Sequence, residues 1–340
     1  MINPPYRAAD DRYDNKMKYE RCGHSGLLLP RISLGLWHNF GDVDPLSRSR
    51  EILHYAFDSG ITCFDLANNY GPSYGSAELT FGAVMKGSFQ PYRDEMIITT
   101  KAGFDMWPGP YGNFGSRKYL MASLDQSLKR MNLDYVDIFY SHCYDPHTPI
   151  EETLQALVDI VRRGKSLYVG ISNWPSDKAA EAYKYLAARD CPCLIYQGRY
   201  NMIDRRVVSD GPLAAAKASG VGFTAFSPLE QGVLTDRYLN GAIPDGSRAS
   251  QGKFLKSDYL TPQLLKSIEG LNAIAAGRNQ SLAEMAIAWL LKDAAVTSVI
   301  VGASSKAQLA TTLKALNNTT FMPDELTAID MLTAPLSPSI

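Results

Sequence analysis

ITCFDLANNYG, residues 61–71, begins as a buried strand and ends as something else. Ile61, Thr62, Cys63 and Phe64 are apolar or β-branched on successive residues, as in a strand covered on both faces. The run stops on a carboxylate, Asp65, and a phenol, Tyr70, follows just before Gly71-Pro72. Strands that end on ionisable groups belong to sheets whose strand ends carry chemistry.

The same grammar repeats along the chain. Comparable runs are RISLGLW (31–37), ITCFDLA (61–67), EMIITTKA (95–102), YVDIFYSH (135–142), SLYVGIS (166–172), CLIYQG (193–198), GFTAFSPL (222–229) and SVIVGA (298–303). Amphipathic stretches stand between them. SREILHYAFDSG (49–60) puts Ile52, Leu53, Ala56 and Phe57 on one face and stops at Gly60, and EETLQALVDIVRRG (151–164) ends in Arg-Arg-Gly. SLDQSLKRMN (123–132) and LAEMAIAWLLKD (282–293) are built alike. Eight βα units predict an α/β fold, a single-domain (β/α)8 TIM barrel. KYERCG and LLLP, within 18–30, predict an N-terminal β-hairpin closing the barrel bottom. Residues 1–16 are expected as an N-terminal tail, 17–332 as the barrel and 333–340 as a C-terminal tail. A long polar loop, about 230 to 260, follows the seventh strand.

A doubly wound two-domain protein is the structural rival, and it needs a Gly-rich dinucleotide loop. Gly220-Val-Gly222-Phe-Thr-Ala225 has the spacing but follows a helix and enters a strand, the reverse of what the motif requires. Gly164-Lys165-Ser166 lacks the earlier glycine of a phosphate loop, position 159 being Asp.

Composition narrows the function classes. The net charge of −1 offers no basic surface, so neither nucleic acid nor an anionic membrane is expected as a partner. No apolar run reaches the ~18 residues of a membrane span. The N-terminus lacks an apolar signal core. Five cysteines without a Cys-x-x-Cys predict reduced thiols in a cytoplasmic protein. Five histidines form no i,i+4 pair, so no metal site is expected.

In a barrel of this kind chemistry gathers at the C-terminal strand ends. Asp65 ends the second strand, Lys101 the third and His142 the fourth, with Tyr70 in the loop after the second. Each alone has an ordinary structural reading: a helix cap, a snorkelling lysine, a hydrogen-bonded histidine, a loop aromatic. On one mouth together, a buried lysine and a buried aspartate require each other. A Lys101 ammonium beside Tyr70 favours phenolate and is expected to lower the phenol pKa from its usual ~10. Such a phenol is a general acid for a carbonyl oxygen, Asp65 would keep Lys101 charged, and His142 would donate a hydrogen bond to the carbonyl. A Schiff-base aldolase on Lys101 is the rival chemistry, and Asp65 argues against it by holding the lysine charged.

At these residues the chain resembles an aldo-keto reductase. The stretches are LGLWHNFG (34–41), FDLANNYGPSYGSAE (64–78), ITTKAG (98–103), YVDIFYSH (135–142), VGISN (169–173), Gln197, FSPLEQGVLTDRYL (226–239) and VIVGASSKAQL (299–309), together covering roughly residues 17 to 330. Within the family it looks most like the branch of bacterial L-glyceraldehyde 3-phosphate reductases and potassium-channel β subunits. The resemblance implies a catalytic tetrad of Asp65, Tyr70, Lys101 and His142, Tyr70 being the proton donor, and NADPH/NADP+ as cofactor. It implies cofactor contacts from Trp37, Asp65, Ser172, Asn173 and Gln197 around the nicotinamide, and from Ser227, Pro228 and Leu229 around the pyrophosphate. Arg237 and Arg248 would stand near the phosphates, and Gly302, Ser304 and Gln308 at the adenosine 2′-phosphate and adenine.

The barrel reading meets this independently at VIVGAS, a strand end that opens a helix and so seats phosphate. Arg237, Arg248 and Lys253 add positive charge in the long loop. The chain departs from the family pattern at Thr311 and Thr312, where many relatives carry an acid and an Asn, and at Glu230, where small residues are common. An acid beside a pyrophosphate costs affinity unless it points away or pairs with Arg237. The substrate would meet Trp37, Tyr70, Trp107 and His142, with Phe40 and the loop 104–118 completing the pocket and Arg117 and Lys118 able to meet a phosphate. The implied activity is NADPH-dependent reduction of small aldehydes, glyceraldehyde 3-phosphate or methylglyoxal-like carbonyls. The rival is an NADP-binding regulatory or sensor subunit; channel-type relatives carry Asn where this chain has His142. A homo-oligomer is expected.

Overall fold

The computed structural model describes residues 6–14, 17–241, 243–244, 247–252 and 255–338. An antiparallel hairpin comes first, β1 (Tyr19–Arg21) paired with β2 (Leu28–Pro30). Eight parallel strands follow: β3 (Ile32–Gly35), β4 (Cys63–Asp65), β5 (Ile97–Ala102), β6 (Val136–Ser141), β7 (Ser166–Ser172), β8 (Cys193–Arg199), β9 (Gly222–Phe226) and β10 (Ser298–Val301). They pair in sequence order, and β10 closes on both β9 and β3 to complete the barrel. All eight predicted runs are strands of this barrel, and each is buried along most of its length because helices cover its outer face.

The helices form as their patterns require. Leu46–Asp58 buries Ile52, Leu53, Ala56 and Phe57 against the sheet. Arg117–Met131 starts at Ser116, whose side chain accepts from the Tyr119 N–H, and stops at left-handed Asn132. Leu282–Leu291 starts with a capping box between Ser281 and Glu284.

The hairpin plugs the barrel bottom. Cys22 and Leu29 pack with Cys63, Ile138, Leu194 and Ile195 in a separate interior cluster. Gly23 permits this, because a Cβ there would lie 2.1 Å from the Gly220 carbonyl oxygen that His24 N–H binds at 2.8 Å. Arg31 then ties β3 to the segment before β10, donating to the carbonyls of Leu291 (2.5 Å), Thr297 (3.3 Å) and Val296. With its lower end filled among the described residues, the barrel's cavity lies at the strand C-termini. Residues 6–14 lie along its outside, where Tyr6 donates to Asp58 (2.7 Å) and Arg12 to Glu95 (2.6 Å). Among the described residues, no helix is long and apolar enough to cross a membrane.

Candidate active site

The register sets the floor of the open end. β4 pairs with β5 so that Asp65 lies opposite Thr99, and Lys101 lies opposite Tyr140 of β6. Asp65 is the last residue of β4, and His142 follows the last residue of β6. Tyr70 is held by its own backbone: its N–H binds the Ala67 carbonyl, its carbonyl accepts from Ala77 N–H, and Gly71 N–H reaches back to Trp37. The turn after β4 is thereby fixed against the loop after β3.

Lys101 Nζ donates to Asp65 Oδ2 at 2.6 Å, to the Leu66 carbonyl at 2.6 Å and to Tyr70 Oη at 3.4 Å. All three ammonium hydrogens thus have an oxygen. Asp65 Oδ1 accepts from Thr99 Oγ1 (2.8 Å) and Gln197 Nε2 (3.0 Å), so this buried carboxylate is satisfied on both oxygens. His142 completes the group, its ring edge-on to Tyr70 at 5.9 Å and to Phe104 at 4.7 Å. Its Nδ1 is buried without a hydrogen-bond partner.

Burial dominates the proton equilibria. It pushes the Tyr70 phenol well above its ordinary value, and Asp65 pushes the same way. The expected lowering by Lys101 is overturned here: the ammonium lies out at 3.4 Å, while its charge is matched by Asp65 at 2.6 Å. Burial lowers the Lys101 ammonium and Asp65 counters it. Burial, helped by Lys101, holds His142 well below the usual imidazole range, so the ring is neutral. The site is a neutral phenol and a neutral imidazole over a buried ion pair.

Above this floor lies a cavity of about 1090 Å³, walled by Trp37, Phe104, Asn173, Trp174, Tyr196 and Phe226 among others. Of the residues implied for the nicotinamide, Trp37 and Asn173 face this cavity beside Tyr70 and His142. Asn173 sits in a left-handed conformation (φ 58°), and its amide donates to the His142 carbonyl and to Ser172 Oγ, both at 3.1 Å. Gln197, at the end of β8, is joined to Asp65. Ser227 also has positive φ (55°) and begins the loop after β9; Pro228 is buried and Leu229 half-buried. Arg248 lies 5.6 Å over the Trp37 ring, whereas Arg237 is exposed. Beyond β10, Gly302 is exposed with open space where a Cβ would stand, and Ser304 N and Oγ donate to Gln308 Oε1 in the first turn of Lys306–Leu313. Lys253 lies outside the described residues.

The donor set fits a nicotinamide dinucleotide. Aromatic faces and two carboxamides surround the tetrad, two arginines stand in the loop after β9, and an open glycine and a serine lead into a helix N-terminus. Among the described residues no group of three His, Cys, Asp or Glu could hold a metal ion.

Several expected substrate contacts lie elsewhere. Trp107 packs on the Tyr119 ring, 5.1 Å between centroids, and Phe40 is fully buried in the core. Arg117 is bound to Asp159 of the next helix at 2.5 Å, and Lys118 lies over Tyr111. None of these four lines the cavity. Asn69, Trp174, Tyr196, Arg199 and Phe226 do, without having been singled out. Their signal was available, since Tyr196, Arg199 and Phe226 stand at or near the ends of β8 and β9.

A sequence profile described as "Aldo/keto reductase family" matches residues 31–334. The L-glyceraldehyde 3-phosphate reductases of Escherichia coli O157:H7 and of Escherichia coli strain K12 are each 54% identical to the chain over 327 residues, 95% of this chain and 94% of theirs. A probable voltage-gated potassium channel subunit beta of Arabidopsis thaliana is 35% identical over 304 residues, 88% of this chain and 92% of its own.

Proposed function

The chain belongs to the aldo/keto reductase family and is an oxidoreductase, and from that premise we propose that it reduces small aldehydes with NADPH, Tyr70 giving the proton. One observation carries the reading: Lys101 joins the buried Asp65 carboxylate to the Tyr70 phenol under a cavity that His142 shares.

The residues divide the work. Tyr70 Oη accepts from Lys101, which leaves its own hydrogen free for the carbonyl oxygen of a substrate in the cavity. Its raised pKa keeps that hydrogen in place until negative charge develops on the oxygen. Lys101, held charged by Asp65, then steadies the phenolate left behind. His142 is neutral and carries one ring hydrogen, which in the Nε2–H tautomer would orient the carbonyl. A reduced nicotinamide held by Ser172, Asn173 and Gln197 would supply the hydride.

The name of the 54%-identical relatives points to glyceraldehyde 3-phosphate as one substrate, with methylglyoxal-like carbonyls in the same size class. The five free cysteines agree with a cytoplasmic protein. The test is NADPH consumption, followed by absorbance, with glyceraldehyde 3-phosphate, plain glyceraldehyde and methylglyoxal. Consumption with any of them is the expected result. NADPH binding without consumption would replace the reductase reading with that of a nucleotide sensor.

A further inference from the structure

The acid at position 230 raised the question of how a carboxylate sits in a loop assigned to a pyrophosphate. Glu230 is fully buried and has positive φ (42°), three residues after Ser227. Its Oε1 accepts from Arg199 at 2.9 Å and its Oε2 from Asn201 at 2.6 Å. The expected relief by Arg237 is supplied instead by the end of β8.

Asn201 is built for this contact. Its Oδ1 is taken by the N–H groups of Ile203 (2.9 Å) and Asp204 (2.7 Å), which fixes the amide. Its two amide hydrogens then go to Glu230 and to the Ser227 carbonyl at 3.0 Å. One side chain thus grips the loop at both ends of the Ser227–Glu230 turn. Arg199 closes the arrangement from the cavity side, where it also lies 3.3 Å from Asp204.

We propose that Glu230 is a positioning residue for the dinucleotide: clamped by Arg199 and Asn201, it holds Ser227–Leu229 in the shape that receives the pyrophosphate. The inference rests on the cofactor reading above. Arg199 meets Glu230 and Asp204, and Arg206 meets Asp204 at 2.6 Å, so two guanidiniums balance two carboxylates and the acid shapes the loop without repelling its ligand. Two left-handed non-glycine residues in sequence, Glu230 and Gln231, are the kind of local strain that holds only when neighbouring contacts over-determine it.

The experiment measures equilibrium binding of NADPH and of reduced nicotinamide mononucleotide, which lacks the pyrophosphate linkage and adenosine, to wild type, Glu230→Gln and Arg199→Lys. Thermal unfolding is recorded beside each. The amide is isosteric but takes from Arg199 the Glu230 charge, leaving Asp204 as its carboxylate partner. NADPH affinity is expected to fall roughly tenfold in Glu230→Gln while mononucleotide affinity stays within about twofold. Arg199→Lys, which keeps the charge but loses the fork, is expected to fall less. Equal losses for both ligands, or NADPH affinity unchanged in a folded variant, would overturn the proposal. Should Glu230→Gln not fold, unchanged NADPH affinity in Arg199→Lys overturns it equally. A wild type that binds neither nucleotide removes the cofactor reading itself, an outcome distinct from a wild type that binds and a variant that does not differ.

Discussion

Lys101 Nζ lies 2.6 Å from Asp65 Oδ2, with side-chain exposures of 0% and 4%. An ammonium and a carboxylate this deep persist only because each is fully hydrogen-bonded, and removing one strands the other. Asp65→Asn should therefore destabilise the fold by about 3–5 kcal/mol, read as a lower denaturant midpoint at neutral pH. A loss under about 1 kcal/mol would mean that the lysine is solvated in a way this geometry does not allow.

The directions of the pKa shifts set the pH profile. Protonating His142 puts a second cation beside Lys101 in a dry site, so it resists protonation and stays neutral well below its ordinary ~6.5. Tyr70 keeps its proton above its ordinary ~10. The kcat/KM for reduction should be flat from about pH 6 to pH 9, with neither group giving an inflection between. An acid limb near pH 6.5 would place a normal, exposed imidazole at position 142.

Phe104 meets the His142 ring edge-on at 4.7 Å from the cavity wall and is itself half open to solvent. Phe104→Ala removes that contact and admits water to the imidazole. Aldehyde kcat/KM should fall about tenfold, the worth of a lost aromatic pair. Because desolvation is the main cause of the lowered His142 pKa, the variant should also gain the acid limb that wild type lacks. A variant with an unaltered pH profile would show that Phe104 does not shield the ring.

Arg117 is committed to Asp159, which argues against a role in binding substrate phosphate. Arg117→Ala should leave the preference between phosphorylated and plain glyceraldehyde unchanged. The pair is partly exposed, so its loss should cost no more than about 1 kcal/mol of stability. A selective loss with the phosphorylated substrate would return Arg117 to the site.

The strands were legible because a parallel strand under helices is written as a continuous apolar run, and a strand-end polar residue in such a run has few places to go. That made Asp65, Lys101 and His142 readable in a one-dimensional pattern. Boundaries were less so: the run 61–67 is a strand only at Cys63–Asp65, since Ile61 and Thr62 lie before the pairing begins. What stayed hidden was side-chain direction across distant segments. Nothing local told that Glu230 would meet Arg199 and Asn201, that Arg117 would turn to the neighbouring helix, or that Trp107 would lie on Tyr119 instead of facing the cavity. Nor did proximity in sequence foretell that desolvation of Tyr70 would outweigh the lysine beside it. The packing of Tyr6 on His54, ring centroids 3.8 Å apart, comes from an N-terminal stretch with no periodic signal at all.

The measurement that bears most directly on the account is aldehyde-dependent NADPH consumption by Tyr70→Phe, with NADPH affinity determined on the same protein. The variant keeps the ring and removes the proton that Tyr70 gives to the carbonyl oxygen. Turnover should fall by roughly a thousandfold with NADPH affinity unchanged. Turnover within about tenfold of wild type would show that the proton comes from elsewhere, and the roles given to Lys101 and Asp65 would fall with it.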